Sequence, residues 1–381
     1  DEVLLSAISP GGISKLGERD VIAAGMLSGY VSEGGFGNFD SISLRKATTG
    51  KIADVRLSLG LNSEGFNASC SPQDMEIMFQ MLHQYGVNPR FEQRSFSSFI
   101  QRHRSRILDR MLNPESVFYD ELNSAAYDYP SYPYSKSVTA KDVDQVTLEQ
   151  LQSIFTQRFS DYSDFTFFVV GNYDEARLKE YLKTYVATLP AKGRKERYTD
   201  LGIEASKGHK EVVFYKGESD RSFVAHFTAG YAPITEENSV GMSALVYLLN
   251  EKLRENIREQ RSGVYFIQAW NTVDPYPRPN YTLRTMMACS PERVAELNLA
   301  IFATLDSIRA GAFDEKYVSA AIATLQSSME ERLRTNDFWL YTMQNNLWRG
   351  RPLVAFLDFP ELYRKLDKDT IVKAANRYLS F

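Results

Sequence analysis

Histidine and cysteine are scarce in this sequence, and their placement excludes more than their number does. The four histidines are His83, His103, His209 and His226. None stands three or four residues from another, so no helical turn offers two imidazoles to one metal ion. Neither H-E-x-x-H nor H-x-x-E-H occurs. A satisfied or half-buried histidine is therefore expected at each position, His83 in an apolar helix and His226 in a strand. The two cysteines, Cys70 and Cys289, rule out a disulfide framework. Each falls at the end of an expected strand, which points to packing rather than to a reactive thiol.

Other absences narrow the function classes. The formal net charge is −4, so no basic excess exists to hold a phosphate backbone, and nucleic acid is not an expected partner. The run Arg102, Arg104, Arg106 reads as a solvated helix face. No apolar run reaches the ~18 residues of a membrane span. There is no P-loop, no dinucleotide fingerprint and no G-x-S-x-G elbow. Gly34-Gly35-Phe36-Gly37 has no strand leading into it and reads as a turn. Asp1 and Glu2 open the chain without a signal-like segment or a starting Met, so it reads as a fragment or a mature product whose ends name no compartment.

What is present is an ordinary globular balance. The chain has 381 residues, 43% hydrophobic and 24% charged, which suits two domains with a core each. Periodicity gives a mixed pattern. Strands are expected at Val3–Ile8, Ile52–Leu61, Gly65–Ser69 and Phe165–Val170. Helices are expected at Val21–Val31 with Asp20 as N-cap, Met75–Tyr85, Glu92–Met111, Pro114–Tyr127, Leu148–Phe159 capped by Thr147, and Asp174–Thr188. Tyr127 to Tyr134 holds two prolines and reads as a loop. Residues 191–209 are polar and basic and read as an interdomain linker. Beyond them, strands are expected at Glu211–Tyr215, Ser222–Gly230, Val264–Asn271 and Tyr281–Cys289. Helices follow at Asn238–Gln260, Pro291–Arg309, Glu315–Arg334, Asp337–Arg349 and Asp369–Leu379.

The order repeats, and so do residues. Ala68-Ser69-Cys70-Ser71-Pro72 ends the first strand pair, and Ala288-Cys289-Ser290-Pro291 ends the second. Each is followed by an apolar helix, an aromatic-acidic pair (Phe91-Glu92, Phe313-Asp314) and a long charged helix. This indicates a duplication. The expected fold is α+β, with two homologous domains at 1–195 and 196–381, each a mostly antiparallel sheet with helices on one face. The first half runs on into the strand Phe165–Val170. The second stops at Phe381, so its equivalent closing strand is expected to be missing from this sequence.

One constellation carries chemistry. A helix ends near Gln260, Ser262-Gly263 forms a turn, and Tyr265 opens a strand. Arg258 in the last helical turn and Tyr265 at the strand start offer several N–H donors and one O–H at one edge. That suits gripping a peptide carbonyl or stabilising negative charge developing on it. The alternative is structural: Arg258 pairs with Glu255 or Glu251 and complements the helix C-terminus, and Tyr265 belongs to the strand core.

Three features resemble the insulinase/pitrilysin-type zinc peptidases, the inverzincins. The first is Ile257-Arg258-Glu259 followed by Gly263 and Tyr265. The second is Phe168-Val169-Val170-Gly171-Asn172-Tyr173-Asp174 with Tyr185 and Leu189-Pro190. The third is the duplicated α+β order. The resemblance covers essentially the whole chain and implies the non-zinc C-terminal half of a four-domain clamshell, with 1–195 as the third domain and 196–381 as the fourth. It implies zinc bound in an absent N-terminal half, on the same chain or a separate subunit, with the peptide extended along a strand edge there. Arg258 and Tyr265 would bind the peptide and stabilise its oxyanion. Where the zinc helix of the family would lie, this chain has Val21-Ile22-Ala23-Ala24-Gly25-Met26-Leu27, without His or Glu. The chain alone is thus expected to be inactive and to bind no metal. Relatives imply a periplasmic or cell-envelope setting. The competing expectation is a non-enzymatic scaffold of the same fold, like the core subunits of respiratory complexes.

Overall fold

The computed structural model describes residues 1–128, 134, 136–233, 235–261, 263–274 and 276–379. Residues 129–133 of the expected tyrosine-rich loop, Ser262 of the Ser-Gly turn, and the end of the chain at 380–381 lie outside them. The chain divides into two compact units. One comprises Asp1–Leu112, Lys136–Ile203 and Thr335–Asn345, and the other Asn113–Ser135, Glu204–Arg334 and Asn346–Phe381.

In chain order the elements of the first half are β1 (Val3–Pro10), α1 (Val21–Gly34), α2 (Ser41–Ala47), β2 (Ala53–Leu59), β3 (Ser63–Cys70), α3 (Met75–Val87), α4 (Gln93–Leu112), α5 (Pro114–Ala126), α6 (Ala140–Asp144), α7 (Leu148–Phe159), β4 (Thr166–Gly171) and α8 (Glu175–Tyr181). A π-helical stretch, Leu182–Val186, continues α8. The second half adds β5 (Ser222–Tyr231), α9 (Glu236–Leu253), β6 (Val264–Asp274), β7 (Asn280–Cys289), α10 (Val294–Arg309), α11 (Glu315–Arg332), α12 (Asn336–Trp348), α13 (Phe359–Arg364) and α14 (Lys368–Tyr378).

The first sheet has the order β2-β3-β1-β4 and the second β5-β7-β6, and every strand pair is antiparallel. The α+β fold expected from the sequence is the one found. In the first sheet, period-2 alternation turns Val55 and Leu57 of β2 inward with Phe66, Ala68 and Cys70 of β3, while Asp54, Arg56 and Asn67 face out. That buried face meets α1 and α3. In the second unit the central strand β7 is buried on both faces, and α9 packs on β6, α11 and α14.

Helix starts follow the sequence with one exception. Thr147 closes a reciprocal capping box with Gln150, and Asn113 caps the helix that Pro114 opens. Asp20 sits at the N-cap of α1 without a capping hydrogen bond; its carboxylate instead accepts from Gln150 Nε2 at 3.3 Å. The strand expected at Glu211–Tyr215 does not form. Its Val212, Val213 and Tyr215 are exposed, and no ladder partner meets it among the described residues.

The presumed linker is not loose throughout. Asp161 accepts from the backbone N–H of Lys192 at 2.9 Å and of Arg194 at 3.0 Å, and Asp164 accepts from that of Glu196 at 3.0 Å. Arg194 reaches inward to Glu64 at 3.1 Å. Glu64 shares the buried face of β3 with Phe66, two residues on, so its carboxylate must be paired. Arg158, 1% exposed, pairs with it at 2.6 Å and with Glu196 at 2.6 Å.

Candidate functional site

The helix that leads to the site is positioned by a line of leucines. Leu245, Leu249, Leu253 and Ile257 recur every fourth residue and are fully buried. Thr235 caps the start of α9 by accepting from the N–H of Asn238 at 3.1 Å. Asn250 ties the helix to β6: its amide donates to the carbonyl of Ala269 at 2.9 Å and accepts from its N–H at 2.8 Å. β6 is an edge strand, and this bond pair satisfies backbone groups that an edge leaves open.

After Leu253 the helix widens. Arg254–Glu259 is π-helical, closed by the N–H of Gln260 bonding to the carbonyl of Glu255 at 3.1 Å. The sequence reading had one uninterrupted helix to Gln260; the π turn inserts a residue, and such inserts recur at functional sites. Ile257 stays buried through it, so the next residue, Arg258, turns outward and is exposed.

The acidic partners that the structural alternative gave Arg258 are engaged elsewhere. Glu255 accepts from the Tyr317 hydroxyl at 2.7 Å and from Lys252 at 3.1 Å. Partial burial pushes the Glu255 carboxyl up, but those two donors outweigh it and hold it below its ordinary value. Glu251 pairs with Arg254. Arg258 makes no hydrogen bond or ion pair among the described residues.

The turn after the helix uses Gly263 at φ +75°, a conformation that a side chain disfavours. Val264 then stands opposite Cys289 on β7, and Phe266 opposite Ala288. Two adjacent partners on β7 face residues that are two apart on β6, so Tyr265 is the extra residue of a β-bulge. Bulges re-aim side chains and are frequent beside active sites. Tyr265 is 60% exposed, which overturns the alternative that it is strand core. The equivalent hairpin of the first unit runs without a bulge, from Ala53 opposite Cys70 to Leu59 opposite Glu64.

Arg258 and Tyr265 thus occupy the two ends of one helix-turn-strand connection, both exposed, with no direct hydrogen bond between them. The sequence reading missed a third residue. The guanidinium of Arg221, just before β5, lies 5.3 Å from the centre of the Tyr265 ring and 4.7 Å from that of Phe223. No spacing rule links position 221 to 265; the fold alone joins them.

Other chemistry is quiet. No group of three or more His, Cys, Asp or Glu side chains able to hold a metal is found among the described residues. His226 bonds through both ring nitrogens, to Thr285 at 2.9 Å and Asn298 at 2.6 Å, and burial depresses its pKa. Burial pushes the Cys70 thiol up to about 11 and raises that of Cys289. The helix α1, where the family's zinc motif would fall, buries Ala23, Ala24, Met26, Leu27, Tyr30 and Val31.

Residues 145–325 match the peptidase M16 inactive domain. That match covers just under half of the chain and marks what this segment is similar to. This is the insulinase-type family that the sequence motifs resemble. A Haemophilus influenzae protein named "Probable zinc protease PqqL" is 20% identical over 382 residues, covering 100% of this chain and 40% of that protein. The chain spans about two-fifths of the length of the curated relatives it matches. The crystal structure of the periplasmic protease PqqL from Escherichia coli aligns with a TM-score of 0.82 at 19% identity, over 99% of this chain and 41% of that one. A protease from Helicobacter pylori aligns with a TM-score of 0.83 at 15% identity, over 100% of this chain and 91% of that one. At such identities the structural likeness establishes the fold. No helix among the described residues is long and apolar enough to cross a membrane.

Proposed function

We propose that this chain is the non-catalytic half of a zinc metallopeptidase, and that it closes the substrate chamber and presents Arg258 and Tyr265 to the peptide. On this reading the two homologous domains, 1–195 and 196–381, are the third and fourth of four. The observation that carries it is the bulge. It takes Tyr265 out of the ladder and turns it to solvent beside a helix end whose Arg258 has no partner among the described residues. The unbulged hairpin of the first unit supports the view that the bulge serves a task beyond folding. A scaffold of the same fold has no use for an unpaired guanidinium and an exposed phenol there.

The residues present do not fit a metal: His226 is fully engaged and no ligand cluster exists among the described residues. On this reading zinc would sit in a partner half, on the same chain or a separate one. The relatives' zinc protease names, and the double-length and similar-length chains among the structural matches, support both forms. What this chain does is bind and polarise. The Tyr265 hydroxyl donates to the scissile carbonyl oxygen as charge grows on it, and Arg258 donates to the same peptide and holds it in register. A periplasmic setting follows the Escherichia coli relative.

The test is reconstitution. This chain mixed with its zinc-bearing half should cleave an extended peptide, and neither half alone should. Cleavage by the zinc-bearing half at an undiminished rate without this chain would overturn the proposal.

A further inference from the structure

Arg221 is absorbed neither by the sequence motif nor by a hydrogen bond or ion pair of its guanidinium among the described residues. Its guanidinium lies over Phe223 at 4.7 Å and over Tyr265 at 5.3 Å. Phe223 is itself fixed, with Phe118 at 5.5 Å and Phe266 at 6.4 Å between ring centres. The cation is thus held against a firm aromatic floor beside an exposed phenol. Among the described residues its N–H groups meet no carboxylate and no carbonyl, although Glu218 and Asp220 stand close by in sequence, both exposed. Its contacts with the two rings use no N–H donor, and the planar edge of a guanidinium matches a carboxylate in bidentate fashion.

We propose that Arg221 is a further substrate-binding and positioning residue of the Tyr265 site, and that it reads a carboxylate on the peptide. The proposal rests on the reading of Tyr265 as a substrate contact. Arg221 holds the Tyr265 ring from one side and offers its free edge to an acidic side chain near the bond that Tyr265 contacts. Arg258, without a hydrogen-bond or ion-pair partner among the described residues, is a second cation, at the other end of the connection that leads to Tyr265. The site then favours acidic peptides over their amides.

The experiment is peptide binding to this chain, read by fluorescence anisotropy with two labelled extended peptides that differ by Glu or Gln at one position. The wild type should bind the Glu peptide about tenfold tighter, the worth of one charge-assisted hydrogen bond. Arg221→Ala should bind both peptides equally. Arg221→Lys keeps the charge but not the planar fork and should restore only part of the preference. Arg221 is exposed, so each variant should keep the wild-type circular dichroism and melting temperature. Equal binding of both peptides by the wild type, no measurable binding of either, or an intact preference in Arg221→Ala would overturn the proposal. Tyr265→Phe separates the two readings. In turnover with the zinc-bearing half, if Tyr265→Phe loses rate while Arg221→Ala leaves the Glu preference intact, only the role of Arg221 fails; if Tyr265→Phe turns over as the wild type does, the reading of Tyr265 fails as well.

Discussion

Cys70 and Cys289 hold the same rung in two separate antiparallel ladders. Cys70 stands opposite Val3 on β1 and Ala53 on β2, and Cys289 opposite Ser222 on β5 and Val264 on β6. In both places the partners are the first residues of their strands. Both are followed by Ser-Pro and a 3-10 turn, at Pro72–Asp74 and Pro291–Arg293, before an apolar helix. The duplication read from the sequence is therefore a duplication of register.

Both thiols are buried and shifted upward, so they should be inert. Neither should react with an aromatic disulfide reagent at about pH 8 in the folded protein, and both should react on unfolding. Prompt modification of either in the native state would contradict the packing role.

Asn250 should matter more for stability than its place on a half-buried helix face suggests. Asn250→Leu removes partners from both backbone groups of Ala269 and should cost about 1–3 kcal/mol. Urea unfolding of the variant would measure the loss, and an unchanged midpoint would contradict the tie between helix and edge strand.

Acid should release the segment after Pro190 early. Burial pushes the Asp161 carboxyl up, but the N–H groups of Lys192, Ser163 and Arg194 and the Ser163 hydroxyl outweigh that and hold it far below its ordinary value. A carboxyl depressed in the fold contributes stability above its unfolded pKa, and the contribution fades as pH falls, here from about pH 5 downward. The melting temperature of Asp161→Asn should start lower at neutral pH and fall less steeply on acidification than the wild type's. Parallel curves would argue against this role.

Much of this was legible in the sequence. The strands and helices around the Cys-Ser-Pro repeats fell where alternation and capping put them, and Thr147 and Pro114 marked helix starts correctly. The short helices α2, α6 and α13 were not read, and three further features depend on geometry that local pattern does not name. Glu211–Tyr215 carries the β-branched and aromatic residues of a strand but meets no ladder among the described residues. The π turn at Arg254–Glu259 keeps the same every-fourth-residue line of apolar groups as an α-helix, so its inserted residue leaves no trace in the pattern. The bulge at Tyr265 exists only in the register of β6 against β7. For the same reason the motif named Arg258 and Tyr265 but not Arg221, whose link to Tyr265 reaches across β7.

The central claim is that Tyr265 touches the reacting carbonyl. It is tested most directly by turnover of an extended peptide by Tyr265→Phe together with the zinc-bearing half. Loss of one donor to a developing oxyanion should lower turnover about 100- to 1,000-fold, while the melting temperature stays at the wild-type value because the ring remains. Wild-type turnover in that variant would contradict the account.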